Sequence, residues 1–198
     1  ISTGQNDSKF GFGVESGAAA AAVSAARANP GVELIGIHNH IGSQVFRVDS
    51  FSRALEVVVG FSEPLGLPEL SVGGGLGTAY VESESAPTIA AWGAMLREAC
   101  NRLGVTAQVS AEPGRSIAAR AAVTVYTVGT IKHVPGIRTY VAVDGGYGDN
   151  PRPVLYGSDY TSFVPGRVTE PRPDTVRIVG KHCESGDILV REAPVPAD

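Results

Sequence analysis

The segment Val32-Glu33-Leu34-Ile35-Gly36-Ile37-His38-Asn39-His40-Ile41-Gly42-Ser43-Gln44 joins a short apolar run to a polar, glycine-containing loop. Residues 32–37 predict a buried strand, since short apolar runs bounded by turn residues suit strands that are covered on both faces. The same order occurs twice more: residues 70–72 run into a glycine-rich stretch at 73–77, and residues 106–110 run into Glu112. Three such units predict a parallel α/β arrangement with functional groups on the loops that follow the strands.

Helical segments separate these predicted strands. Residues 17–28 form an alanine-rich stretch with Ser16 as the expected N-cap and Asn29 at its end. Apolar residues then recur at helical spacing from Phe51 to Leu65 and from Ile89 to Leu103, which predicts two amphipathic helices.

The composition changes at a boundary near residues 116–122. Residues 123–128, 140–143 and 176–179 are rich in β-branched side chains and are separated by turn residues. This pattern predicts a mostly antiparallel β region.

Composition excludes several classes of protein. With 198 residues, 43% hydrophobic and 18% charged, the chain is long enough to bury a core. A net charge of −4 without a basic block argues against nucleic acid, and no apolar run approaches membrane-spanning length. Two distant cysteines do not suggest a disulfide framework, so a cytoplasmic location is expected. Because it starts at Ile1 and ends abruptly, we expect a piece of a longer protein, or a trimmed chain.

Two of the loops have more than one interpretation. Gly73–Gly75 lets backbone N–H groups approach a phosphate, or simply forms a tight turn. His38 and His40 alternate about Asn39, so we expect them on opposite sides, with at most one facing the functional edge. That imidazole either stacks on an aromatic cofactor or is a hydrogen-bonded core histidine. No third ligand accompanies the pair, so no metal site is predicted.

Each of the remaining polar residues also has two interpretations when it is considered alone. Glu112 suits a carboxylate that pairs with a protonated heterocyclic nitrogen, or a simple ion pair on a turn. Arg152 and Tyr156, in a proline-rich loop, suit recognition of a carboxylate, or a solvated arginine beside a packed tyrosine. Cys183 suits a proton donor with Glu184 as an ammonium acceptor, or a buried inert thiol.

Five short motifs occur together in one order. They are H-x-H-x-G-S at 38–43, G-G-G-x-G at 73–77, E-P-G-R at 112–115, R-P-x-L-Y at 152–156 and C-E-S-x-D at 183–187. In this combination the sequence resembles the fold-type III pyridoxal-phosphate decarboxylases of the alanine racemase-like fold. Glu184 after Cys183 makes it most similar to their diaminopimelate decarboxylase family. The similarity extends from about Ser8, in an S-K-F-G segment, to Leu189.

The resemblance implies a fold of two parts and a reaction. Residues 1–118 would be the C-terminal part of a (β/α)8 TIM-like barrel that binds pyridoxal 5'-phosphate. Residues 119–198 would be part of a mostly antiparallel β domain that carries the substrate and proton-donor motifs. The implied protein is a homodimer with shared active sites that converts meso-2,6-diaminopimelate into L-lysine and carbon dioxide.

The resemblance also implies roles for individual residues. Cys183 would supply the proton that replaces the departing carboxylate, in the site of the partner subunit, and His40 would stack on the pyridine ring. Glu112 would meet the ring nitrogen. The rest of the cofactor site would be Ser43, Gly75, Gly114 and Arg115, and the substrate's distal groups would meet Arg115, Arg152, Tyr156 and Glu184.

The chain lacks the family's cofactor lysine, and this leaves three hypotheses for its function. None of the chain's lysines, Lys9, Lys132 and Lys181, lies in the family's cofactor-lysine motif, so we predict that the isolated chain does not turn over. The first hypothesis is a diaminopimelate decarboxylase when whole. The second is a related decarboxylase of ornithine, lysine or a polyamine precursor. The third is a non-catalytic homologue that binds a partner subunit or buffers the cofactor, which the missing lysine favours and the retained motifs oppose.

Overall fold

A computed structural model describes residues 8–197, which divide into two compact units. Unit 1 contains residues 8–79 and 85–122, and unit 2 contains residues 80–84 and 123–197. Within the described ranges, no helix has the length and apolar character needed to cross a membrane.

Unit 1 alternates strands and helices. Its strands form a parallel sheet in the order β1-β2-β3, with Ile37 beside Leu70 and Leu70 beside Val109. All three strands therefore end at the same edge of the sheet. The elements are α1 (Ala18–Ala28), β1 (Gly36–His38), α2 (Val48–Ser62), β2 (Glu69–Ser71), α3 (Ile89–Leu103), β3 (Gln108–Ser110) and α4 (Gly114–Ala118).

The core of unit 1 lies between the sheet and helices α2 and α3. Phe51 and Trp92 meet edge to face with ring centroids 5.5 Å apart, and Leu55 and Leu70 are 2% exposed. Helix α3 begins where the Thr88 hydroxyl accepts a hydrogen bond from the Ala91 N–H. It ends at a glycine in the left-handed conformation. The two amphipathic helices predicted from apolar spacing are confirmed.

Two details of unit 1 differ from the prediction. The first strand occupies Gly36–His38 instead of residues 32–37, and Val32 and Ile35 are exposed. Apolar composition alone did not locate the strand, because pairing with Glu69–Ser71 decides its limits. Helix α1 is present, but Gly17, not Ser16, occupies the N-cap position.

Unit 2 contains a four-stranded mixed sheet. Its elements are β4 (Val128–Val134), β5 (Arg138–Val143), α5 (Arg152–Tyr156), β6 (Asp174–Val179) and β7 (Ile188–Val195), with the strands in the order β4-β5-β6-β7. The two outer pairings are antiparallel and the central β5–β6 pairing is parallel. Because β5 and β6 run in the same direction, the loops that follow them leave from the same edge.

The β region was predicted correctly in kind and incorrectly in its first strand. Residues 123–127 are not a strand, and Val123 and Val125 are exposed; pairing starts only at Val128. Strand β7 was missed. With a parallel α/β sheet followed by a mixed sheet, the predicted α/β fold class is confirmed.

Candidate functional site

The loops that follow β1, β2 and β3 meet at one edge of the sheet in unit 1. Asn39 N–H donates to the Ser71 carbonyl at 2.9 Å, Val72 N–H to the Ser110 carbonyl at 2.9 Å, and Glu112 N–H to the Gly73 carbonyl at 2.7 Å. These bonds hold together a set of side chains and glycines that we call the glycine-turn cluster. Its members are His38, His40, Ser43, Ser71, Gly73, Gly74, Gly75, Glu112 and Arg115.

The glycine turn is packed so closely that no side chain fits. A Cβ atom added at Gly73 would overlap the Asn39 carbonyl oxygen, one at Gly74 that of Glu112, and one at Gly75 that of Gly42. Gly73 and Gly75 also have positive φ angles of 64° and 103°. The backbone of the turn is therefore in direct contact with both neighbouring loops.

Glu112 is held as a carboxylate. Ser71 Oγ donates to Glu112 Oε1 at 3.0 Å, and His38 Nε2 lies 3.3 Å from Glu112 Oε2. The hydrogen bond from Ser71, and in the same direction the neighbouring His38, holds the pKa of Glu112 below its ordinary value. Its side chain is 57% exposed, so the carboxylate is accessible to a ligand.

The two histidines lie side by side, which corrects the prediction that they point to opposite sides. Their rings are stacked, with centroids 6.4 Å apart and an interplanar angle of 12°. Strand β1 ends at His38, so the alternation of a pleated strand does not extend to His40. The Gly74 N–H donates to His40 Nδ1 at 3.2 Å, so a neutral His40 carries its proton on Nε2.

The Ser43 loop joins the same cluster. Arg115, in the first turn of α4, donates from Nη2 to Ser43 Oγ at 3.0 Å. Gln44 has a positive φ of 59° and bonds the backbone of Thr78 with both ends of its amide, at 2.9 and 3.0 Å. Gly114 starts α4, and nothing lies within 4 Å of a Cβ added there. Unit 1 thus brings together all the cofactor residues that the sequence predicted in it.

In unit 2 the predicted residues lie on the two loops that leave one edge of the sheet. Arg152 and Tyr156 follow β5 on a short helix, which corrects the predicted proline-rich loop. Pro153 supplies a favourable first helical turn, and Gly157 ends the helix with a φ of 64°. The guanidinium carbon of Arg152 lies 5.2 Å from the centre of the Tyr156 ring.

Cys183 and Glu184 lie in the turn between β6 and β7, which we call the Cys183 turn (residues 180–187). Both side chains are exposed, so the alternative of a buried, inert cysteine is wrong for Cys183. Glu184 Oε1 accepts a hydrogen bond from Gly186 N–H at 3.2 Å, and the Asp187 N–H bonds the Glu184 carbonyl at 3.0 Å. The turn thus presents a thiol and a carboxylate to solvent.

Sequence reasoning missed three residues that hold these groups. His38 and Ser71 bond Glu112, and the buried Asp187 accepts a hydrogen bond from the His182 N–H within the Cys183 turn. Asp187 ends the C-E-S-x-D motif, so its position in the motif was a usable signal. Ser71 carried no such signal, because its role depends on a contact 41 residues away in the chain.

Comparison with known proteins identifies the family. Residues 1–119 match the family described as pyridoxal-dependent decarboxylase, pyridoxal binding domain. Over its whole length the chain is 45% identical to the diaminopimelate decarboxylase of Corynebacterium efficiens, of which it covers 46%. It is 42% identical, again over its whole length, to that of Synechocystis sp., of which it covers 44%.

A solved structure gives the same result. The crystal structure of diaminopimelate decarboxylase from Helicobacter pylori complexed with L-lysine matches 100% of this chain and 49% of that one, with a TM-score of 0.84 and 28% identity. The chain spans about half the length of the curated relatives it matches. The family match, the relatives and the solved structure all confirm the resemblance predicted from the five motifs. The chain therefore belongs to the pyridoxal-dependent decarboxylase family.

Proposed function

We propose that the whole protein decarboxylates meso-2,6-diaminopimelate to L-lysine and carbon dioxide. Its relatives in Synechocystis sp. and Corynebacterium efficiens are named diaminopimelate decarboxylase. The observation that carries the proposal is Glu112, an accessible carboxylate with a lowered pKa beside two stacked imidazoles and a glycine turn. We place the pyridoxal-binding part in residues 1–118 and the β domain in residues 119–198. The division of the chain after Ala122 and the family match to residue 119 support that boundary.

The glycine-turn cluster fits pyridoxal 5'-phosphate. Ser43, Gly75, Gly114 and Arg115 would surround the phosphate, beside a turn whose glycines carry no side chains that could block its approach. His40 would lie on the pyridine ring. Glu112 would hold the proton of the ring nitrogen. When bound, the cofactor supplies an electron sink for the pair of electrons released as carbon dioxide leaves.

The groups of unit 2 suit a substrate with a second carboxylate and a second amine. Arg152 would bind the distal carboxylate, with Tyr156 adding a neutral hydrogen bond. The Arg152–Tyr156 contact restricts the guanidinium before substrate arrives. Glu184 would accept the distal ammonium group. Ornithine and lysine lack the distal carboxylate, so a role for Arg152 in binding that carboxylate would favour diaminopimelate.

Cys183 would donate the proton that completes the reaction. The bond from the α-carbon to its carboxylate breaks, carbon dioxide leaves, and the Cys183 thiol proton becomes bonded to that carbon. The thiolate then regains a proton from solvent. Within the proposal the protein is a cytoplasmic homodimer in which Cys183 reaches the site of the partner subunit. Exposure of the Cys183 turn supports that arrangement.

The test is the release of carbon dioxide by the full-length protein from meso-diaminopimelate, L-ornithine and L-lysine. We expect turnover of meso-diaminopimelate alone, and a loss of about 100-fold or more in kcat for Cys183→Ala. Cys100→Ala is the matched control, because Cys100 lies in helix α3, and it should retain activity. Preferred release from ornithine would favour the second hypothesis, and no release from any substrate would favour the non-catalytic homologue.

A further inference from the structure

Asp187 is the one buried acidic residue among residues 8–197, and none of the roles proposed above uses it. Its side chain is 2% exposed, whereas Cys183 and Glu184, four and three residues earlier in the same turn, are exposed. A buried carboxylate is unfavourable unless hydrogen-bond donors surround it. The burial of Asp187 in a turn whose Cys183 and Glu184 are exposed therefore needs a structural reason.

Three donors from two loops converge on the Asp187 carboxylate. Tyr147 N–H, in the loop that follows β5, donates to Oδ1 at 2.6 Å. His182 donates to Oδ2 twice, from its backbone N–H at 2.9 Å and from Nδ1 at 2.8 Å. The rings of Tyr147 and His182 also contact each other, with centroids 4.3 Å apart. One carboxylate thus ties the residue next to Cys183 to the loop that leads to Arg152.

Two glycines, Gly146 and Gly180, pack closely against the Asp187 carboxylate. A Cβ added at Gly146 would lie 2.6 Å from Asp187 Oδ2, and one added at Gly180 would overlap the same atom. Lys181 N–H bonds the Gly145 carbonyl at 2.9 Å, so the two loops also meet through their backbones. Neither a larger acid at 187 nor a side chain at Gly180 fits this packing.

The electrostatics agree with the geometry. Burial by itself would raise the pKa of Asp187, but the backbone N–H groups of His182 and Tyr147 and the His182 imidazole outweigh it and hold the pKa below its ordinary value. The carboxylate is therefore ionised, and all three donors bond a full negative charge.

We infer that Asp187 is a positioning residue that fixes the Cys183 turn against the loop carrying Arg152, so that the thiol and Glu184 keep a defined direction. The geometry stands by itself, and the catalytic meaning of the inference rests on the proposed function of Cys183 and Glu184. Asp187 itself touches no substrate in this account; it acts through the turn.

The experiment is alkylation of the two cysteines by iodoacetamide, read separately by peptide mass. Asp187→Asn should release the turn and speed the alkylation of Cys183 by about tenfold, while Cys100 in α3 keeps its rate. Gly180→Ala should give the same pattern although the carboxylate remains, because its Cβ displaces Oδ2. Asp159→Asn, at an exposed carboxylate of unit 2 that bonds Arg191, is the matched control and should change neither rate.

If Asp187→Asn does not fold, a second pair of variants tests the hydrogen bond from His182 Nδ1 to Asp187. His182→Asn keeps an amide donor near the position of Nδ1, and His182→Leu removes it. We expect rates close to wild type for His182→Asn and faster alkylation of Cys183 for His182→Leu.

The results separate the possible outcomes. Equal acceleration of Cys100 and Cys183 would mean general destabilisation and would overturn the inference. Unchanged alkylation of Cys183 in Asp187→Asn, Gly180→Ala and His182→Leu would overturn it as well. The assay needs no substrate, so it holds its meaning even if the full-length protein fails to release carbon dioxide, a result that would count only against the proposed function.

Discussion

The glycine-turn cluster of unit 1 and the Cys183 turn of unit 2 both present polar groups at the edge of a sheet, but different atoms hold them. In the glycine-turn cluster, backbone carbonyls press directly on Gly73, Gly74 and Gly75. In the Cys183 turn, the Asp187 side chain gathers donors from two loops. Direct backbone contact fixes the position of the glycine turn. The buried Asp187 carboxylate instead restricts the direction of the exposed Cys183 and Glu184 side chains.

The largest expected effect comes from filling the glycine turn. Gly75→Ala places a Cβ on the Gly42 carbonyl at a φ of 103°, so we expect a loss of about 3 kcal/mol or more in the free energy of unfolding. Gly60→Ala, on the exposed face of α2 where nothing lies within 4 Å, should instead stabilise the chain by about 0.5–1 kcal/mol. Denaturant unfolding measures both variants. Equal effects would show that the turn is not held by backbone contact.

The buried anchor should give a smaller, pH-dependent effect. The pKa of Asp187 is lower in the folded chain than in the unfolded chain. Its ionised form therefore stabilises the fold fully above the unfolded pKa of about 3.9. That stabilisation is lost as the pH falls through the lower pKa of the folded chain. Asp187→Asn should therefore cost about 2 kcal/mol near neutral pH, and the cost should shrink below pH 4. Thermal unfolding of both chains from pH 3 to pH 7 checks this, and a cost independent of pH would contradict it.

The hydrogen bond between Ser71 and Glu112 should affect titration more than stability. Ser71→Ala removes the donor to Glu112 Oε1, so the pKa of Glu112 should rise toward its ordinary value. A carboxyl carbon-13 NMR titration measures the shift directly. Ser24→Ala, which removes a bond to the Ala20 carbonyl in α1, should leave Glu112 unchanged. A Glu112 titration that is the same in all three proteins would remove Ser71 from the account.

The smallest effect is expected at a surface ion pair of unit 2. Arg191 and Asp159 meet at 2.6 Å with both side chains about half exposed. Asp159→Asn should change the melting temperature by only a degree or so, since exposed pairs contribute little. If Asp159→Asn lowered the melting temperature as much as Asp187→Asn does, burial would not distinguish the two carboxylates.

Much of unit 1 could be predicted because its signals are local. Helix α3 has apolar spacing, a threonine cap and a terminal glycine within one stretch of sequence. Strand limits were harder: Val32 and Val123 are β-branched but exposed, because pairing partners decide where a strand lies. Strand β7 was missed because charged residues and Pro194 interrupt its apolar pattern.

The candidate site divides in the same way. The motifs indicated the residues that we propose as ligand-binding, because the chemistry of a glycine turn, a carboxylate or a thiol is visible in the sequence. His38 and Ser71 contact a residue far away in the chain, and Asp187 joins its own turn to Tyr147, 40 residues earlier; periodicity does not record such contacts. The prediction for His38 and His40 was wrong because the strand ends between them.

We propose that the glycine-turn cluster holds pyridoxal 5'-phosphate and that none of the chain's three lysines anchors the cofactor. The direct measurement is to mix the purified chain with pyridoxal phosphate, reduce with borohydride, and map modified lysines by peptide mass. We predict no specific stoichiometric adduct. A single stoichiometric adduct on Lys9, Lys132 or Lys181 would contradict the claim and would require a new assignment of the cofactor-binding residues.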